Sequence, residues 1–349
     1  MAVDDKAPTS AEPLAIGLVG YGYWGPNVLR NFRAIPEARV VGVCETNAAT
    51  RDRIRAEHPD LPLFESFADL LRADGLEAVS ITTPAATHGK LVRQALEAGM
   101  HVLVEKPLCL DLAEADRLKA QAESLDRVLM VGHLLLYHPA FDALMSTVRG
   151  DQIGRLRYIY SNRLSLGKIR REENALWSFA PHDISMILKL VGRLPERVTA
   201  TGGQYLHDGI ADTTLSHLSF ADGVQAHIFV SWLHPYKDHR MVVIGDSGMA
   251  VFDDVQPGAQ KLSLYRHEVG WRGEIPLISK SDAEPIPYDS AEPLRRECEA
   301  FIRAVRTGAP PPSDATEGIN VLRVLDLCQR SINDGKEVRF DPRTEEIVS

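Results

Sequence analysis

Three groups of residues in this chain have the types and placement to do chemistry. Lys106 stands between Glu105 and Pro107, directly after the apolar run His101–Val104. A lysine at a strand end can hydrogen-bond the reacting oxygen of a substrate and polarise it; the plainer alternative is a solvated surface lysine. His182 follows Pro181 and precedes Asp183 at an expected helix start. Histidine titrates near neutral pH, so it can take the proton of an alcohol while hydride leaves the carbon; the alternative is a packing role. His182 lies 76 residues beyond Lys106, and no spacing links the two. The third group is Gly20, Gly22 and Gly25, at G-x-G-x-x-G spacing.

The glycines gain meaning from their flanks. Leu14 to Val19 is a short apolar run, read as a buried strand. Val28, Leu29 and Phe32 mark a helix, and Val40 to Cys44 a second strand ending in Glu45, 20 residues beyond Gly25. Gly20 permits the tight turn, Gly22 lets a pyrophosphate approach the backbone, and Gly25 lets helix and strand pack closely. The helix N-terminus offers N–H groups and a positive dipole end to phosphates. Glu45 is placed to accept from a ribose 2′-OH, which makes this a dinucleotide site rather than a glycine-rich turn of an ordinary α/β domain. A carboxylate there repels a 2′-phosphate, and Thr46 and Asn47 add no cation, so NAD is favoured over NADP. Arg51 and Arg53 on the next helix weigh against that preference.

Strand and helix patterns alternate through the first third. A helix runs from a Thr46 or Asn47 cap to about His58, and a short one covers Phe67–Leu71. A strand spans Ala78–Ile81, and the helix after it stops near Gly99. A strand at His101–Val104, a helix from Asp111 to about Leu125 and a strand at Val128–Val131 follow. This predicts a doubly wound parallel sheet, whose ligands bind beyond the carboxyl ends of the strands. Thr83 to His88, Glu105-Lys106-Pro107 and His133 all fall at such ends. After about residue 150 the pattern changes. Arg155–Leu166 reads as extended, and 177–191 as helical after Pro181. Strands follow at 196–205, 213–220, 224–233, 239–245 and 249–253, and helices at Leu294–Val305 and Ala315–Ile332. The fold expected is an α/β Rossmann domain over 13–133 and an α+β domain with an antiparallel sheet over 134–349. A tail at 1–12 is expected to be disordered, and helix 315–332 is expected to return to the first domain.

Composition narrows the function. The 349 residues suffice for two cored domains, and 25% charged with 44% hydrophobic residues is ordinary for a soluble globular protein. A net charge of −9 without a basic block argues against nucleic-acid binding. No apolar run reaches the roughly 18 residues a membrane span needs. Cys44, Cys109, Cys298 and Cys328 show no CxxC or metal spacing and read as reduced thiols of a cytoplasmic protein. No HExxH or Cys/His pattern is present, so no metal is expected, and Ser178 lacks a GxSxG context. His88, His133 and Thr83 are expected around the cofactor, with structural histidines as the alternative. Arg157, Arg163, Lys168, Arg170 and Arg171 form a basic segment before Glu172, Glu173 and Asn174. It is either a solvated loop or a substrate loop that contacts phosphates or sugar hydroxyls.

With GYGYWGPN at 20–27, TPAATH at 83–88, EKP at 105–107 and the PHDI helix from 181, the chain after residue 13 resembles the Gfo/Idh/MocA family. The resemblance implies a Rossmann domain and a C-terminal domain whose large, open, mostly antiparallel sheet packs against its copy in dimers and tetramers. It implies reversible NAD(P)-dependent oxidation of a secondary alcohol on a sugar or cyclitol, with Lys106 and His182 catalytic. Cofactor contacts are then expected from Gly20, Gly22, Tyr23, Trp24, Gly25, Glu45, Thr83, Pro84, His88, Glu105 and Lys106. Substrate contacts are expected from Lys106, His133, Arg163, Arg170, Asn174, Trp177 and His182. Many members carry an aspartate four residues before this histidine; here Ser178 stands there, and Glu172, Glu173 or Asp183 would have to substitute, a Lys–His pair suffice, or the activity differ. Residues 161–188 resemble the nucleotide-sugar branch, such as UDP-N-acetylglucosamine 3-dehydrogenases, whose 3-keto product suits a partner aminotransferase. The alternatives are an inositol or free-sugar dehydrogenase, a sugar 3-ketoreductase, and a non-catalytic NAD-binding regulatory module.

Overall fold

The computed structural model describes residues 12–348, so the expected tail lies, up to residue 11, outside the described residues. Two compact units are present. The first comprises residues up to Gly132 together with Leu294–Ala315; the second comprises His133–Pro293 and Thr316 onward.

The first unit alternates strand and helix: β1 (Leu14–Val19), α1 (Gly25–Ala34), β2 (Ala38–Cys44), α2 (Ala48–Glu57), β3 (Leu63–Phe64), α3 (Phe67–Leu70), β4 (Ala78–Ile81), α4 (His88–Glu97), β5 (His101–Glu105), α5 (Leu112–Ser124) and β6 (Leu129–Gly132). Polar caps start several helices: Asn47, Ser66 and Asp111 each accept a backbone N–H of the first turn. The six strands pair in parallel in the order β3-β2-β1-β4-β5-β6. The order reverses between β1 and β4, so the crevice beyond their ends is the ligand-binding position of such sheets. β1 and β4 are buried throughout, as strands covered on both faces must be.

The second unit holds α6 (Pro139–Arg149), β7 (Leu156–Leu166), α7 (Ala175–Val191), β8 (Arg197–Gly203), β9 (Thr213–Ser219), β10 (Gln225–Ser231), β11 (Leu233–Gly245), β12 (Gly248–Asp253), β13 (Leu262–Arg272), β14 (Ile275–Lys280) and β15 (Glu284–Pro285). Helix α8 (Pro293–Thr307) follows, then α9 (Ala315–Asp334), β16 (Val338–Asp341) and β17 (Glu346–Val348). Eleven strands form one sheet, antiparallel except where β7 meets β10. α7 packs on β7, β9 and β10. Tyr158 and Leu215 remain exposed on the sheet, and Tyr160 stacks on His227 with ring centroids 5.4 Å apart.

Three features differ from or add to the expected elements. First, α8 belongs to the first unit, although only the helix after it was singled out in the sequence. α8 buries Leu294, Cys298, Phe301 and Ile302 along one face, and each large apolar side chain so buried contributes about 1.5–3 kcal/mol. α9 belongs to the second unit, where Ser331 Oγ accepts the Ala200 N–H of β8 at 2.8 Å. Second, α7 begins six residues before Pro181. Asn174 caps it by accepting the Trp177 N–H, so Pro181 and His182 lie inside the helix. The proline forgoes one helical hydrogen bond, at a cost of about 3 kcal/mol. Burial of Leu176, Ile184, Met186 and Ile187 offsets it. Third, β13 to β17 extend the sheet beyond the expected strands. Much of β13 and β14 is exposed on both faces, so the alternation that marks a half-buried strand is missing.

Candidate active site

In the first unit the glycine turn joins β1 to α1. Gly20 has φ +91°, and a β-carbon there would lie 2.9 Å from Thr83 Cγ2. A β-carbon on Gly25 would lie 2.6 Å from the Gly20 carbonyl oxygen. Gly22 differs: a β-carbon there would meet nothing within 4 Å. The first and last glycines are therefore required by the fold of the turn, whereas Gly22 borders open space, as a pyrophosphate needs. Thr82 Oγ1 donates to the Gly20 carbonyl at 2.8 Å and ties β4 to the turn. Tyr23 is exposed beside it and Trp24 is half-buried at the entry to α1.

Glu45 follows β2, and its carboxylate braces the same turn. Oε2 accepts the Tyr21 N–H at 2.9 Å and Oε1 the Asn47 N–H at 2.8 Å. Each carboxylate oxygen accepts more than one donor, so both retain capacity for ribose hydroxyls. Arg51 donates to the carbonyls of Glu45 and Thr46 and pairs with Glu65. Arg53 donates to the Tyr21 carbonyl and lies over the Tyr21 ring. Both arginines are thus held by the protein itself. These residues fit a dinucleotide, whose nicotinamide supplies hydride transfer when bound.

Two further loops meet at the same sheet edge. The His88 ring is 1% exposed and bridges the Thr83 carbonyl (2.8 Å) and the Pro107 carbonyl (2.7 Å). Both partners are acceptors, so a neutral ring donates to one and only the imidazolium donates to both. His88 thereby ties the Thr83-Pro84 loop to the Glu105-Lys106-Pro107 loop. Thr83 Oγ1 and Thr87 Oγ1 are 2.7 Å apart, and Thr87 donates to the Pro84 carbonyl. Lys106 and Pro107 are joined by a cis peptide bond. Gly132 of β6 pairs with Glu105, and a β-carbon there would stand 3.2 Å from the Glu105 carboxylate; its absence makes room for that side chain. Glu297 of α8 is 1% exposed. Burial, and then the charge of Glu105, push its carboxyl well above the usual carboxylate range.

In the second unit His182 and Ser178 stand one helical turn apart on α7, at i and i+4. Asp183 does not stand in for the missing aspartate. It is 1% exposed and accepts Arg163 Nε at 2.6 Å, Arg163 Nη2 at 3.2 Å and the Ser161 hydroxyl. Arg163, expected among the substrate contacts, is thus paired with a carboxylate of α7. Arg170 pairs with Glu173 at 3.0 Å and Glu172 at 3.6 Å, so the basic segment is partly neutralised by the acidic residues after it. Lys168 and Arg171 are exposed and have no ion-pair partner among the described residues. Asn174, besides capping α7, donates to Gln329 Oε1 of α9 at 2.8 Å, and Trp177 Nε1 donates to the same oxygen at 3.1 Å. His133, at the end of β6, places Nδ1 2.5 Å from Glu317 Oε2 in the first turn of α9. An ionised carboxylate only accepts, so Nδ1 carries the hydrogen and the tautomer is set. Sequence reasoning missed Glu317, Gln329 and Glu297. All three sit on late helices with no motif around them.

The four cysteines are buried and none is in a disulfide; burial raises the Cys44 and Cys109 thiols to about 11 and Cys328 to about 12, which suppresses reactive thiolate. Among the described residues no group of three or more His, Cys, Asp or Glu is arranged to hold a metal, and no helix is long and apolar enough to cross a membrane.

Residues 14–133 match the oxidoreductase family with the NAD-binding Rossmann fold, and 141–251 match the GFO/IDH/MocA C-terminal domain. A UDP-N-acetylglucosamine 3-dehydrogenase of Acidithiobacillus ferrooxidans is 30% identical over 88% of this chain and 93% of its own. The chain belongs to the Gfo/Idh/MocA family. It is an NAD(P)-dependent oxidoreductase. The solved structure of that Acidithiobacillus enzyme superposes with a TM-score of 0.80 at 27% identity, covering 93% of this chain and 99% of that one. A myo-inositol 2-dehydrogenase of Thermotoga maritima is 25% identical over 94% of this chain and 99% of its own. A D-xylose 1-dehydrogenase (NADP(+)) of Haloferax volcanii is 28% identical over 84% and 91%. Relatives thus differ in the alcohol and in the dinucleotide their names state.

Proposed function

We propose that this oxidoreductase uses NAD to oxidise a secondary hydroxyl, at C3, of a nucleotide sugar such as UDP-N-acetylglucosamine. The observation that carries the substrate class is the pair of exposed, unpaired cations Lys168 and Arg171 in the segment before α7, suited to a diphosphate. The similarity to the Acidithiobacillus enzyme supports the same reading. The preference for NAD is supported by Glu45, an acid at the end of β2 that would repel a 2′-phosphate, and by the commitment of Arg51 and Arg53 to backbone carbonyls.

In this reading His182 takes the hydroxyl proton, and Lys106 holds the same oxygen and stabilises the charge that develops on it. Lys168 and Arg171 orient the substrate through its phosphates. Glu45, Gly22 and the helix N-terminus of α1 hold the dinucleotide. Substitution of Lys106 or His182 by alanine is expected to lower kcat by about 10²–10⁴-fold while NAD still binds, as single removals of acid–base groups do. Near-wild-type turnover by either variant, measured as NADH formation, would contradict the assignment. The myo-inositol relative keeps a cyclitol dehydrogenase as the second reading.

A further inference from the structure

We infer that Arg163 is a positioning residue for this reaction: with Ser161 it clamps Asp183 to β7 and so sets the rotation of α7 that aims His182. The inference rests on the reading in which His182 takes the proton.

The geometry is a three-donor grip on one carboxylate. Arg163 reaches Asp183 with both Nε (2.6 Å) and Nη2 (3.2 Å), and the Ser161 hydroxyl donates to Oδ1. A planar guanidinium on a carboxylate restrains direction as well as distance, which a lysine in its place would not do. Ser161 and Arg163 are two residues apart on β7, so both point to the same face of the sheet. The donors therefore come from one rigid strand and the acceptor from one helix. The side chains are enclosed, 10% exposed for Arg163 and 1% for Asp183, so water does not compete for the grip.

The surroundings leave Asp183 as the carboxylate partner of Arg163. Its cross-strand neighbour on β11 is His239. Burial, and then the charge of Arg163 with that of Lys237, lower the pKa of His239 to about 4, so it stays neutral beside the guanidinium. Asp238, the next residue on β11, is engaged instead by Asn162 at 2.9 Å and Arg240 at 2.9 Å.

The consequence follows from helix geometry. Consecutive residues on a helix are about 100° apart, so fixing the direction of Asp183 fixes that of His182. Pro181 precedes them and removes one of the internal bonds that would otherwise stiffen this turn. The external grip on Asp183 takes over that restraint. A proton acceptor displaced by about 1 Å loses on the order of 10²-fold in rate.

The test is a double-mutant cycle on the full chain, read as kcat and KM with NAD and whichever of UDP-N-acetylglucosamine and myo-inositol is turned over. Arg163→Lys is expected to lower kcat by about tenfold or more and to leave the KM for NAD unchanged. In the His182→Ala background the same substitution should leave the residual rate unchanged, because there is no imidazole left to aim. Ser161→Ala, which keeps the ion pair and serves if Arg163→Lys does not fold, should show a smaller loss with the same coupling. Equal losses in both backgrounds, an unchanged kcat, or a raised KM for the alcohol with kcat intact would overturn the inference. If His182→Ala alone kept wild-type turnover, the functional reading would fail first; that outcome is read from the single variant, before the cycle is closed.

Discussion

Gly22 and Gly25 look equivalent in the chain and stand in opposite surroundings. A methyl on Gly25 would meet the Gly20 carbonyl at 2.6 Å, whereas one on Gly22 would meet no protein atom within 4 Å. Gly22→Ala should therefore melt with the wild type yet bind NAD about tenfold or more weakly, because the methyl occupies the approach of the pyrophosphate. Gly25→Ala should lose about 1–3 kcal/mol of stability from overpacking. Thermal melts paired with NAD titration separate the two; unchanged NAD affinity in Gly22→Ala would remove the pyrophosphate from this turn. At this scale the sequence was informative wherever chemistry follows from position along the chain. The glycine triplet, Glu45, the Lys106 loop and His182 were all singled out that way. The partners of Arg163, Asn174 and His133 were not, because each is paired with a residue on another element. Arg163 and Asp183 are 20 positions apart, His133 and Glu317 are 184 apart, and no local pattern joins them.

Elements were readable where one face is buried and the other is wet. α1, α4 and the parallel strands β1, β4 and β5 have that periodicity or short apolar run, and they fall where the pattern put them. α7 shows what a proline conceals: a reader who lets Pro181 open the helix misses the Asn174 cap seven residues ahead of it. α8 and α9 are both amphipathic, so the sequence alone did not mark α8 as part of the first unit. The buried face of α8 also carries an acid. Glu297 lies on the buried face of α8 beside Glu105, and its pKa is raised well above 4.5, chiefly by burial. A raised carboxyl holds its proton in the folded chain at pH values where the unfolded chain has released it. The unfolded state then binds fewer protons, so stability is fully present below about pH 4.5 and declines as pH rises toward the folded pKa. Glu297→Gln, which mimics the protonated acid, should remove that decline. Its melting temperature should exceed that of the wild type by a margin that grows between about pH 5 and pH 8. Parallel melting curves against pH would show that Glu297 is ionised in the fold.

For the molecule as a whole, fold class follows from the order of elements: alternating strands and helices, then a run of consecutive strands. That order was legible, and the parallel six-stranded sheet and the large mixed sheet agree with it. The margin of the large sheet was not legible, since the second half of β13 and all of β14 lack a buried face, and only Leu262 and Leu264 at the start of β13 alternate inward. Substrate choice is harder to read from either source, because the segment proposed to govern it is short and its members partly neutralise one another. Arg170 is paired with Glu172 and Glu173, so the proposal rests on Lys168 and Arg171. The measurement that bears most directly on this account is NADH absorbance after mixing the full chain with NAD and UDP-N-acetylglucosamine, with myo-inositol, scyllo-inositol and glucose in parallel. The account predicts a rise with the nucleotide sugar and none with the other three. A rise with a cyclitol or free sugar, and none with UDP-N-acetylglucosamine, would contradict it.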